Sequence, residues 1–96
     1  MKPESCTTMA EVRAGIDALD RELVALIATR MRFMDAAARI KSHRADVRDE
    51  ERKAEVVANA RRAAADLGVP AALAEALWDV LVEGSIAYEL EQFDQR

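Results

Sequence analysis

Residues 8–43 read TMAEVRAGIDALDRELVALIATRMRFMDAAARIKSH, and this stretch decides the fold. Along it Val12, Ile16, Leu19, Leu23, Leu26, Arg30, Phe33, Ala37 and Ile40 recur at alternating spacings of four and three. That is the period of one face of an α-helix, so the spacing predicts a single long helix over residues 8–43. Thr8 with Glu11 three residues later fits a capping box and marks its start. At ~1.5 Å of rise per residue the helix spans about 54 Å, whereas a compact chain of this length has a diameter near 30–35 Å. Its apolar stripe therefore lies open to water unless a second copy runs alongside. The expectation is a helical homodimer.

One position interrupts the stripe. Arg30 stands where a leucine belongs, and an arginine in an apolar seam needs an anion, because a buried charge left alone costs several kcal/mol. Coiled-coil seams do tolerate an occasional charge, which leaves a purely structural role open. Lys41 follows eleven residues on, about three turns, and returns to nearly the same face; the alternative for it is a solvated lysine at a helix C-terminus. Arg13 flanks Val12 and has a complete surface explanation in a pair with Asp17 one turn away. Arg13 and Arg30 are separated by about 25 Å along one helix, so they cannot clamp the same small molecule within one chain. In an antiparallel dimer, Arg13 of one copy comes near Arg30 of the other. Two arginines and a lysine would suit a small dicarboxylate, since a guanidinium matches a carboxylate with two parallel hydrogen bonds.

The remaining chain adds two shorter helices. Residues 42–48 lose the stripe and read as a loop, in which His43 has no assigned role. Asp49 is a good N-cap for a second helix, with Glu50 and Glu51 suited to its first turn. Its apolar face is expected to carry Arg52, Val56, Ala60, Ala63 and Leu67, with Arg52 free to extend its head to water. Gly68 ends this helix and Pro70 opens a third over residues 71–93. Leu73, Leu77, Trp78, Leu81, Val82, Ile86, Leu90 and Phe93 give the third helix a wide apolar band. Ser85 and Glu89 sit one turn apart on the side of Val82 and Ile86, either lining a cavity or forming a wet helix edge. No strand pattern and no repeat occurs. The fold class is all-α, one domain over residues 1–96 built of one long and two shorter helices.

Composition narrows the functions. Of the 96 residues 51% are hydrophobic, but twenty of them are alanine, so much apolar burial must come from association. A net charge of −4 argues against a nucleic-acid surface. The single cysteine, Cys6, excludes an internal disulfide, and no Cys/His cluster suggests a metal; no cofactor is expected. Residues 1–8 form a polar lead with no apolar run, and no 18-residue apolar stretch follows. The expectation is a cytoplasmic protein with no membrane contact.

Five stretches, taken in order, carry a resemblance: VRAGIDALD at 12–20, ATRM at 28–31, IK at 40–41, VRDEER at 47–52 and EGSIAYE at 83–89. Together they resemble the all-helical chorismate mutase family, the AroQ class, over nearly the whole chain. The resemblance implies an intertwined homodimer with two pockets, each completed by an arginine from the other copy. It implies Arg13 as that donated residue, on one carboxylate of chorismate, and Arg30 on the other. Lys41 would donate to the ether oxygen of the breaking bond, and Glu89 would take the second ether-oxygen position. Asp49 and Arg52 would line the site near the ring hydroxyl, and Ser85 would sit by the ring carboxylate. Two positions depart from the pattern. The family commonly has Gln where Glu89 stands, and bacterial mutases often have Glu where this chain has Lys53.

The implied activity is rearrangement of chorismate to prephenate, a pericyclic step needing no nucleophile. Holding a dianion in its reactive conformer and placing cations at the oxygen that gains charge suffices. Residues 3–7, PESCT, also look like the isochorismate-pyruvate lyase branch of the same fold, which yields salicylate and pyruvate. A third reading, from a different class, is a non-catalytic helical dimerisation module in which Arg30 is merely tolerated.

Overall fold

A computed structural model describes residues 2–96 as three α-helices with no strand. Met1, the first residue of the polar lead, lies outside the described residues. The rest of that lead contains a 3₁₀ turn, Pro3–Ser5, which the sequence pattern did not signal. Helix α1 covers Met9–Ile40. The Glu11 N–H donates to Thr8 Oγ1 at 3.2 Å, while the Thr8 and Thr7 hydroxyls donate to the Glu11 carboxylate at 3.0 and 3.1 Å. Those hydroxyls hold Glu11 below the usual carboxylate range.

Helix α1 stops three residues short of the expected end. The Lys41 N–H still bonds the Ala37 carbonyl at 2.9 Å, but a 3₁₀ turn, Arg44–Asp46, then reverses the chain. The turn delivers Val47 to the core, where it is buried with Val82 and Ile86. It also brings Arg44 onto Asp94 in a two-pronged ion pair of 2.9 and 3.2 Å. Both gains oppose a further turn of helix.

Helix α2, Glu50–Leu67, begins as expected: Asp49 Oδ1 accepts the Arg52 N–H at 3.0 Å. It ends at Gly68, whose φ of 75° is left-handed and favours glycine. The buried face of α2 differs from the expected one. Leu67 is 81% exposed, whereas Ala64, three residues earlier, is buried. Leu67 lies in the last turn, where Gly68 already redirects the chain. Helix α3, Ala71–Asp94, buries Ala74, Val82, Ser85, Ile86 and Glu89.

The chain divides into two compact units, one running through Phe33 and the other Met34–Arg96. Within the first, Ile16, Leu19, Leu23, Leu26 and Phe33 are each at least half exposed, so the apolar stripe is open in the single chain. The second unit holds the core of Val47, Val82 and Ile86, with Val56, Leu90 and Phe93 packed against it. No helix among the described residues is long and apolar enough to cross a membrane.

Candidate active site

Lys41 and Glu89 lie 48 positions apart in sequence and 2.7 Å apart in space. The last turn of α1 presents Lys41 at the point where the chain leaves the helix. Glu89 projects from α3, one turn beyond Ser85. Its residue is only 4% exposed, so its carboxylate is taken almost wholly out of water. A buried carboxylate is tolerated when a cation donates to it. Lys41 supplies that cation, with about a third of its own side chain still reaching solvent. Ser85 is buried too and donates its hydroxyl to the Leu81 carbonyl at 2.7 Å. The expected polar notch on α3 is therefore an interior feature rather than a wet edge. Among the described residues no buried side-chain nitrogen or oxygen lacks a partner.

The neighbouring residue fixes the same end of α3. Tyr88 donates its hydroxyl to Asp35 on α1 at 2.6 Å, and that bond to a carboxylate pushes the phenol up. Nothing in the apolar period singled out Asp35 or Tyr88; their only signal was a polar residue beside each helix's inward face.

The start of α2 forms a second group. Asp49 uses Oδ1 to cap its own helix, and Arg52 is exposed and paired with Glu55 one turn on. Arg48 reaches Glu83 with both terminal nitrogens, at 2.9 and 3.1 Å, and also meets Glu50 at 2.9 Å. Lys53, which stands where bacterial mutases often have Glu, is turned onto α3. Its ammonium meets Asp79 at 2.9 Å and Glu83 at 3.2 Å. The Arg48 guanidinium and the Lys53 ammonium hold Glu83 down to about 2. Lys53 is raised in return, chiefly by Asp79, and Arg48 is raised, chiefly by Glu83. This α2–α3 clamp went unread because its members are 26 to 35 residues apart.

Arg13 and Arg30 both belong to the first unit, on α1. Arg13 is exposed, and among the described residues it forms no ion pair with Asp17. Arg30 is half-buried. The structure thus joins Lys41 to Glu89, with Ser85 one turn away on α3. It places Asp49 and Arg52 at the head of α2.

Residues 12–90 match the family described as chorismate mutase type II. The chain is also 31% identical over 93 residues to isochorismate pyruvate lyase of Pseudomonas aeruginosa, an alignment spanning 97% of this chain and 92% of that protein.

Proposed function

The chain belongs to the chorismate mutase type II family, and from that membership we propose that it rearranges chorismate to prephenate in aromatic amino-acid biosynthesis. One observation supports the reading: Lys41 and the buried Glu89, the two residues that the resemblance assigns to the ether oxygen, meet at 2.7 Å. In the rearrangement a C–O bond breaks as a C–C bond forms, and negative charge gathers on the departing oxygen. Lys41 donates to that oxygen. Glu89 supplies a second donor when it carries a proton. A fixed cation aimed at developing charge is worth far more in a water-poor site than in bulk.

Arg30 takes one substrate carboxylate with its planar fork. Arg13 of a second copy takes the other, making the protein a homodimer in which residues 1–96 act as one domain. The open stripe of Ile16, Leu19, Leu23 and Leu26 supports this assembly, since each is still half exposed or more and covering apolar area is favourable by about 25 cal/mol per Å². Asp49, Arg52 and Ser85 complete the lining, toward the ring hydroxyl and ring carboxylate.

A second reading is favoured by the relative from Pseudomonas aeruginosa, whose name is isochorismate pyruvate lyase. Under it the same pocket takes isochorismate and releases salicylate and pyruvate. Lys41→Gln tests the residue shared by both readings. Turnover should fall about 10²–10³-fold, the scale of losing one donor to a developing oxyanion, with the far-ultraviolet circular dichroism unchanged. Undiminished turnover in a folded variant would remove Lys41 from the site.

A further inference from the structure

Helix α1 ends at Ile40, and the last carbonyls of a helix have no partner of their own. Here a residue from beyond α3 fills the gap. The Arg96 guanidinium donates Nη1 to the carbonyls of Ala38 at 3.1 Å and Lys41 at 2.5 Å, and Nη2 to that of Ser42 at 3.4 Å. Arg96 therefore holds the backbone of Lys41 itself and of its neighbours. A cation is also the favoured charge at this end of a helix. The guanidinium lies 3.7 Å from the centre of the Phe93 ring, and Phe93 packs on the core. Two residues before Arg96, Asp94 grips Arg44 through both carboxylate oxygens. That contact holds Arg44 above, and Asp94 below, the usual range of each group.

We propose that Arg96 is a positioning residue for Lys41. Together with the Asp94–Arg44 pair, it anchors the segment from Ala38 to Arg44 on the end of the helix that carries Glu89. Lys41 is thus tied twice, by its ammonium to Glu89 on α3 and by its carbonyl to Arg96 just beyond that helix. The two ties do different work. A lysine side chain has a flexible four-carbon stem, so the bond to Glu89 alone leaves the ammonium free to wander once that bond opens. The backbone tie persists when the ammonium leaves Glu89 for another oxygen. An arginine suits the task because its rigid fork spans several carbonyls at once, whereas a lysine presents its donors from one point.

The part of this inference that concerns turnover rests on the reading of Lys41 as the donor to the reacting oxygen; the anchoring itself does not. Both are tested in the full chain with Arg96→Ala, Arg96→Lys and Asp94→Asn. Without substrate, Arg96→Ala should raise amide hydrogen exchange across residues 41–46 about fivefold to tenfold, the scale of a lost helix cap. Exchange around Val82 and Ile86 should stay unchanged. The Glu89 side-chain carboxyl ¹³C resonance should shift in the same variant, and Arg96→Lys should restore part of both signals. Asp94→Asn should raise exchange chiefly at residues 43–46. With substrate, kcat should fall about tenfold, within the range of a misplaced catalytic group, while KM changes little. Unchanged exchange and an unmoved Glu89 resonance would overturn the anchoring. Altered exchange with unaltered kcat would reduce Arg96 to a structural cap and overturn its positioning role. If the unmutated protein consumes neither chorismate nor isochorismate, the proposed function fails, and the exchange and resonance data still decide whether Arg96 positions Lys41.

Discussion

The Lys41 ammonium donates to the Glu89 carboxylate across 2.7 Å, at a point where Glu89 is 4% exposed. A carboxylate only accepts hydrogen bonds, whereas the ammonium has three donors and keeps two for other oxygens. Replacing Glu89 by glutamine would put a donor in this position and remove the negative charge that holds Lys41.

Glu89→Gln should therefore raise the mutase rate, because an amide supplies a donor where the carboxylate only accepts. The measurement is kcat of both proteins under the same conditions. A glutamine variant slower than the wild type would give Glu89 a different role.

Glu83 gives a prediction about stability. Its folded value of about 2 lies below the ~4.3 of an unfolded glutamate. For such a group the stabilisation is complete above the unfolded value and disappears as pH falls towards the folded one. Glu83→Gln should lower the urea midpoint by a constant amount between about pH 5.5 and 8, and the gap should close between about pH 4 and 2. A gap that widens on acidification would contradict the Arg48–Glu83–Lys53 clamp. Lys53→Glu should destabilise more than Lys53→Met, because it sets a third carboxylate beside Asp79 and Glu83.

The assembly can be tested by mixing. Arg13→Ala and Arg30→Ala chains, each inactive alone, should regain activity when unfolded and refolded together. In the mixed dimer one pocket carries both lesions and the other carries neither. Recovery should approach a quarter of the wild-type rate, the statistical yield of intact pockets from random pairing. No recovery from verified mixed dimers would count against the shared site.

What could be read in the sequence was local or periodic. Thr8 with Glu11, Asp49 and Gly68 marked helix ends because capping chemistry acts within three or four residues, and each stands where the spacing put it. Ser85 and Glu89 share a face with Val82 and Ile86, a spacing that left a wet edge as open as the buried position they occupy. Long-range partners were not legible. Lys53 has its anions 26 and 30 residues away on another helix, and the period of α2 says nothing of them. Arg96 bonds main-chain carbonyls, which every residue possesses and no sequence pattern marks. The exposure of Leu67 depends on where Gly68 turns the chain, a geometric fact that apolar periodicity does not contain.

Substrate choice is the most direct test. Purified protein is given chorismate and isochorismate separately, and prephenate, salicylate and pyruvate are followed. A chain matched by the chorismate mutase type II family over residues 12–90, with Lys41 beside Glu89, should convert chorismate to prephenate with kcat/KM above that for isochorismate. Salicylate and pyruvate in equal amounts from isochorismate, with chorismate left intact, would contradict the mutase reading and install the lyase in its place.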